Sequence, residues 1–166
     1  MDFSGFVALR LGDLVKVARS LTADPSSADD LTQIALEKAY RSWGRIDGDP
    51  FPYVRRILVN SAYDAWRRKA RLKEVFGLTR EPTGTRVDEQ PELAHDAARR
   101  LDDLMRPLAP RERAVITLRY LSDLTEADTA RELGMALGTV KSTHANALKK
   151  MRVAEASLEG VGHGHQ

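Results

Sequence analysis

In residues 124–152, LTEADTARELGMALGTVKSTHANALKKMR, the side chains able to do chemistry are hydrogen-bonding groups and cations, with no acid or nucleophile grouped for catalysis. Thr139, Ser142, Thr143 and Asn146 can donate to or accept from the edges of bases. Lys141, His144, Lys149, Lys150 and Arg152 lie among them, and no Asp or Glu occurs between Gly134 and Ala154. Such a set can read and grip a polyanion, because an amide pairs bidentately with a base and a cation meets phosphate. Two short helices would position it. Thr125 is a suitable N-cap, with Asp128 three residues on. The first helix runs to about Leu133, and Gly134 stops it in a left-handed conformation. Gly138 and Thr139 begin the second, which runs to about Met151. Ala130 is small enough for a close crossing, Gly134 makes the turn, and Val140 plugs the angle. This is the spacing of a helix-turn-helix at about 126–145, whose second helix lies in the DNA major groove. The plainer alternative for the stretch by itself is a solvated amphipathic hairpin.

The 166 residues suffice for one domain or two small ones. The absence of cysteine removes disulfides, thiolate catalysis and cysteine zinc sites. No apolar run approaches the roughly 20 residues of a membrane span, and the first residues, MDFSGFVALR, lack the basic-then-apolar pattern of a signal peptide. A cytoplasmic protein is expected. The net charge is only +2, from 26 basic and 24 acidic residues. Acids and bases are segregated along the chain, so their distribution is more informative than their sum.

Residues 3–21 predict a helix with Phe3, Val7, Leu11, Leu14, Ala18 and Leu21 on one face. A second, capped by Ser26 or Ser27, runs to about Trp43 and buries Leu31, Ala35, Ala39 and Trp43. Asp30, Gln33, Glu37 and Arg41 form another, polar face of it. Asp49 caps a third helix with Pro50 at its first position. There the charge reverses: Arg55, Arg56, Arg67, Arg68, Lys69, Arg71 and Lys73 face the single acid Asp64, with Phe51, Tyr53, Tyr63 and Trp66 interleaved. Phe51 and Tyr53 are read as core. The run from Trp66 to Arg71 suits phosphates and unstacked bases. Gly77, Pro82 and Gly84 mark a linker. A helix from Pro91 to Met105 follows, then one over 111–121 with Ala114, Val115, Leu118 and Leu121 inward, then the helix-turn-helix. The expected fold is all-α: a three-helix domain at 1–73, a flexible linker at 74–90, a four-helix domain at 91–157, and a disordered tail at 158–166 in which His163 and His165 are frayed.

This order resembles a minimal bacterial RNA polymerase sigma factor of the extracytoplasmic-function type, in particular its SigE-like branch, over nearly the whole chain. Asp30-Leu31-Thr32-Gln33, then Ala39-Tyr40 and Trp43, is similar to the region 2.2 helix that holds the beta-prime coiled coil. Tyr53-Val54-Arg55-Arg56-Ile57-Leu58-Val59-Asn60, then Asp64 and Arg67-Arg68, resembles the helix that opens and holds the −10 element. Leu108-Ala109-Pro110-Arg111-Glu112-Arg113-Ala114-Val115 and Leu118-Arg119-Tyr120 look like the start of region 4. Gly138-Thr139-Val140-Lys141-Ser142 matches the start of its −35-reading helix. The chain departs from the family in Ile34, where a polar residue is usual, in Thr143 and Asn146, where arginines are common, and in Ala136, where a serine cap is usual.

The resemblance implies an alternative sigma factor that makes no bonds itself and needs no cofactor or metal. Its implied partners are core RNA polymerase, through the beta-prime coiled coil and the beta flap, promoter DNA, and an anti-sigma factor, with no membrane insertion. Asp30, Gln33, Glu37 and Arg41 would bind core polymerase. Trp43, Arg45, Arg56, Asn60, Asp64, Trp66, Arg67, Arg68 and Lys69 would hold and melt the −10 region, with an unstacked base taken by the loop at 43–49. Thr139, Lys141, Ser142, Thr143, His144, Asn146, Lys149 and Lys150 would face the −35 groove. Two other readings stand beside it. A stand-alone operator-binding regulator would leave the acidic face and the basic aromatic helix without a role. A helical nucleic-acid enzyme would need an acid/base or metal cluster, and His95, His144, His163 and His165 are not grouped with carboxylates on one face.

Overall fold

The computed structural model describes residues 1–22, 24–77 and 92–162, and the chain divides into two compact units, Met1–Arg86 and Val87–Gln166. Most of the linker, and His163 and His165, fall outside the described residues.

The first unit holds α1 (Phe3–Thr22), α2 (Pro25–Arg41) and α3 (Pro50–Phe76), each packed on the other two. Phe6, Leu14, Val17 and Ala18 of α1 meet Ala28, Leu31, Ala35 and Ala39 of α2 and Val54 and Leu58 of α3. The alanines give α2 a low profile, so its neighbours approach closely. The buried arc of α1 is rotated from the one read in the sequence: Phe6 and Val17 are inside, while Leu11 is 40% exposed. Periodicity fixes the width of an apolar arc, but α1 packs against two helices, and that pair decides where the arc is centred. Phe3 lies at the edge, where its ring meets Tyr40 and Trp43 edge-on at 5.0 and 5.1 Å.

Asp24, rather than Ser26 or Ser27, caps α2. Pro25 occupies the first helical position, which leaves Asp24 as the last residue free to accept. Its carboxylate takes the N–H groups of Ser26 and Ser27 at 3.3 Å and the Ser27 hydroxyl at 2.6 Å. The hydroxyl chiefly holds the Asp24 carboxyl below the usual carboxylate range. Burial opposes that pull, while the two N–H groups and the Lys69 charge add to it. After Arg41 the chain tightens into a 3-10 turn, Trp43–Arg45, so Trp43 is not on α2. Asp49 caps α3 as expected, accepting from Phe51 N at 3.0 Å. The helix runs to Phe76, past Lys73, and stops at Gly77 with φ 61°.

The second unit holds α4 (Glu92–Met105), α5 (Pro110–Ile116), a π-helical turn (Thr117–Leu121), α6 (Glu126–Leu133) and α7 (Leu137–Gly162). The single helix expected over 111–121 is therefore broken. Ser122 N–H reaches back five residues to the Thr117 carbonyl at 3.1 Å, and Leu124 N–H to the Leu118 carbonyl at 2.9 Å. The wider turn swings Leu121 outward, where it is exposed. The Arg119 guanidinium donates to the Leu124 carbonyl, and Asp123 turns the chain with φ 53°. At the start of α5 the Glu112 carboxylate accepts from Ala109 N–H at 2.9 Å. Met105, Leu108, Ile116 and Ala147 form one core cluster, and Val115, Ala130 and Val140 another. Burial pushes the Arg113 guanidinium below the usual arginine value; the Asp102 carboxylate opposes this and Arg106 adds to it. The last helix continues to Gly162, through the stretch read as the start of a tail at 158, and an Arg100–Glu155 pair at 3.5 Å ties its extension to α4.

The rotated arc of α1 can be checked by unfolding. Phe6→Ala should cost about 3–5 kcal/mol through the cavity it leaves, and Leu11→Ala under about 1 kcal/mol. Urea denaturation of the two variants should show that order, and equal losses would restore the arc centred on Leu11.

Candidate nucleic-acid interface

The helix-turn-helix is assembled by two caps and one small apolar contact. Thr125 Oγ1 accepts from Asp128 N–H at 3.0 Å, so α6 starts where the sequence predicts. Asp128 does not return the bond as a capping box would; its carboxylate pairs with Arg131. Gly134 ends α6 at φ 62° and ψ 33°, with its N–H on the Ala130 carbonyl. Val140 is fully buried against Val115 and Ala130, with Leu133 and Met135 closing the sides. Ala130 and Val140 meet in this cluster, and Gly134 supplies the left-handed turn between their helices.

That contact decides which face of α7 is left for a ligand. Val140, His144 and Ala147 lie on the inner face at steps of four and three. The opposite face carries Ser142, Asn146 and Lys149 as an exposed ridge, flanked by exposed Thr139 and Lys141, with Thr143 half-buried. The Ser142 hydroxyl donates to the Thr139 carbonyl at 3.1 Å, so only its acceptor lone pairs face outward. Two residues of the expected set have partners within the unit: His144 is turned inward, while Lys150 stays half-exposed. The His144 side chain is 12% exposed, with Nε2 2.7 Å from the Tyr120 hydroxyl and Nδ1 3.6 Å from Glu126 Oε1. Lys150 Nζ lies 2.6 Å from Glu112 Oε1, the oxygen that also accepts from Ala109 N–H. A sequence read for charge alone does not show which lysine has a partner within the protein.

In the first unit the expected residues fall into three groups. Asp30, Gln33, Glu37 and Arg41 share an exposed face of α2, and Ile34 lies among them, also exposed. Arg41 and Glu37 pair at 2.5 Å. The second group is a track on α3. Arg56, Asn60, Asp64 and Arg67 follow one another at helical steps on one exposed face, and Tyr53 and Arg71 extend it at either end. From Tyr53 to Arg71 the track is about 27 Å long at 1.5 Å per residue. Tyr53, read as core in the sequence, is 40% exposed. It lines an open concavity of about 580 Å³ with Ser42, Arg45, Asp47 and Arg56. The signal available for it was its position three residues before Arg56 on one helical face. Phe51 does lie against the core, with the Arg10 guanidinium 3.9 Å from its ring centroid. The third group, Trp66 and Lys69, lies on a different flank of α3 from Arg67; Trp66 is 38% exposed. Trp43 is braced by Phe3 and Phe6 and borders a second concavity with Gly44, Ile46 and Gly48 on the other side of the same loop.

Known proteins resemble this chain over most of its length. A family model described as sigma-70 region 2 matches residues 6–72, and one described as sigma-70, region 4 matches residues 98–151. The RNA polymerase sigma-E factor of Streptomyces avermitilis is 36% identical over 154 residues, covering 92% of this chain and 84% of that protein. The ECF RNA polymerase sigma factor SigL of Mycobacterium tuberculosis is 31% identical, covering 87% and 84%. Among solved structures, the sigma factor RpoE of Bartonella quintana, in complex with the anti-sigma factor NepR, aligns with a TM-score of 0.75 at 25% identity over 93% of this chain and 97% of its own. The chain belongs to the sigma-70 family of RNA polymerase sigma factors, as a member of the extracytoplasmic-function type near the sigma-E branch. It is an alternative sigma factor, whose partners are core RNA polymerase and promoter DNA. Among the described residues no helix is long and apolar enough to cross a membrane.

The turn at Gly134 offers a direct check of the interface. A Cβ there would meet nothing within 4 Å, so Gly134→Ala is penalised only by its left-handed backbone. The expected loss is about 1–2 kcal/mol, read as a lower thermal midpoint with promoter preference kept. A variant of unchanged stability would show that the turn relaxes to another conformation.

Proposed function

We propose that the two units divide promoter recognition between them. The observation that carries this is that one chain holds a base-reading ridge on α7 and, on a separate unit, an exposed acidic-polar face together with a basic track. An operator-binding regulator would use only the first.

On this reading Asp30, Gln33, Glu37 and Arg41 dock on the beta-prime coiled coil of core polymerase. The Glu37–Arg41 pair is exposed and worth at most about 1 kcal/mol, so its groups can be exchanged for those of a partner at little cost. The track on α3 holds phosphates of the −10 element through Arg56, Arg67 and Arg71, with Asn60 among them, and Arg68, Lys69 and Trp66 contribute from its flanks. A base that has left the stack is taken at the loop after the 3-10 turn, where Tyr53 supplies a ring, Arg45 and Arg56 donate, and Asp47 accepts. Asp49 is less free for this, because its carboxylate caps α3. On α7, Asn146 and Ser142 read −35 base edges, Thr139 and Thr143 border them, and Lys141 and Lys149 meet phosphate. His144 and Lys150 are assigned to holding α7 in place. The chain makes and breaks no bonds; the polymerase does so, in the cytoplasm. An anti-sigma factor is a further expected partner, in keeping with the complex in which the Bartonella quintana sigma factor was solved.

The docking face is tested by charge reversal. Asp30→Lys with Glu37→Lys should leave the fold intact, since exposed substitutions seldom cost more than about 0.5 kcal/mol. Binding to core polymerase and run-off transcription should both fall sharply. Full transcription by the double variant would place the docking site elsewhere, and tight specific promoter binding by the wild type without polymerase would favour the operator-binding reading.

The −35 assignment is tested on α7. Asn146→Ala should change the preferred −35 sequence by about 1–3 kcal/mol at one base pair, whereas Lys149→Ala should weaken all promoters alike. A randomised promoter library read by run-off transcription separates the two, and an unchanged preference in Asn146→Ala would refute the placement of α7.

A further inference from the structure

We infer that His144 is a positioning residue: with Tyr120 and Glu126 it forms a polar clamp that fixes the rotation of α7 about its own axis, and so sets which base edges Asn146 and Ser142 can reach. The inference rests on the −35 reading of α7 given above.

Three elements meet at the ring. Tyr120 belongs to the π-helical turn and Glu126 is the first residue of α6. The Tyr120 hydroxyl is 2.7 Å from Nε2, the Glu126 carboxylate 3.6 Å from Nδ1, and the tyrosine and histidine ring centroids are 5.5 Å apart. One neutral tautomer serves both neighbours: the tyrosine O–H donates to Nε2 while Nδ1–H points to the carboxylate. With a side chain 12% exposed, Nε2 bonded to the tyrosine and Nδ1 facing the Glu126 carboxylate, the imidazole is poorly placed to read a base.

The apolar contacts of α7 leave a task for such a clamp. Val140 and Ala147, fully buried on either side of His144, set how near α7 comes to its neighbours. Both are small, and apolar contact has no preferred direction. A hydrogen bond does, and weakens steeply away from line. A rotation of about 20° would carry a side-chain tip at the 5–6 Å outer radius of a helix through about 2 Å, which is enough to break a bidentate amide–base pair. The clamp lies between the two apolar contacts and adds a directional restraint on that rotation.

Its foundations are themselves held. Arg119 lies with its guanidinium 5.8 Å from the Tyr120 ring and donates to the Leu124 carbonyl, which fixes the π-helical turn beneath the tyrosine. The second carboxylate oxygen of Glu126 is buried with no hydrogen-bond partner among the described residues. A buried acceptor left unsatisfied is unfavourable, and the other oxygen of Glu126 faces His144 Nδ1 at 3.6 Å.

The test uses the full chain with core RNA polymerase and run-off transcription from promoters randomised in the −35 element. Tyr120→Phe removes one hydroxyl from an exposed residue and keeps the ring. His144→Leu removes both polar contacts at similar volume. Glu126→Gln keeps an oxygen that accepts. Tyr120→Phe and His144→Leu should each lower the preferred-to-next-base ratio at the pair read by Asn146 by about fivefold, the factor that one ordinary hydrogen bond sets, while Glu126→Gln should retain the wild-type ranking. Circular dichroism confirms that each variant is folded, and Tyr120→Phe decides if His144→Leu is not. An unchanged ranking with uniformly weaker promoters would show that the cluster only stabilises the fold and would overturn the clamp. A shift in His144→Leu without one in Tyr120→Phe would overturn it differently, by showing that the imidazole reads a base itself. A wild type without any −35 preference would bring down the −35 reading and the clamp with it, and is recognised before any variant is compared.

Discussion

The approach of α7 to α6 at Ala130 is the constraint on which the second unit depends. Two helices can cross this closely only where a side chain is as small as alanine, and the chain can reverse between them only where a residue accepts a left-handed backbone. Ala130 and Gly134 satisfy the two conditions, and Val140 fills the space they create. Once those positions are set, α7 has one inner face and one outer face. The outer ridge of Ser142, Asn146 and Lys149 follows from what the inner face must bury.

Electrostatics divides the work of the molecule in the same spirit. A net charge of +2 conceals an exposed acidic-polar face on α2, a basic track on α3 and a stretch of α7 that is free of acids until Glu155. These surfaces suit different partners, because a polyanion is gripped by cations and repelled by carboxylates. One charge is partly withdrawn from that competition: Lys150 pairs with Glu112 at the start of α5. A cation near an internal acid helps to build the surface that other cations use.

The polar contacts inside the second unit have a role that its apolar core cannot fill. Small cores are economical in a unit of this size, yet they define distances better than angles. The π-helical turn, the arginine that closes it and the Tyr120–His144–Glu126 contacts supply direction where α5, α6 and α7 converge. On the proposed −35 reading, α7 needs its orientation held by interactions of similar angular sharpness.

The sequence by itself determined the helices, their order and most of their ends, because caps, prolines and left-handed glycines act locally: Asp49 with Pro50, Thr125 and Gly134 behave as their residue types require. It also determined the helix-turn-helix, whose geometry depends on the sizes of Ala130 and Val140 and on a left-handed turn at Gly134. Tertiary structure decided the rest. The buried arc of α1 moved from Leu11 to Phe6 and Val17 because two neighbouring helices, not periodicity, choose its centre. Tyr53 left the core for a surface concavity, and Leu121 left it because a π turn replaced an α turn. His144 was turned inward beside Tyr120 and Glu126, and Lys150, still half-exposed, was paired with Glu112. Those partners lie 24, 18 and 38 positions away, and no local pattern records which distant carboxylate or hydroxyl a cation or imidazole will meet.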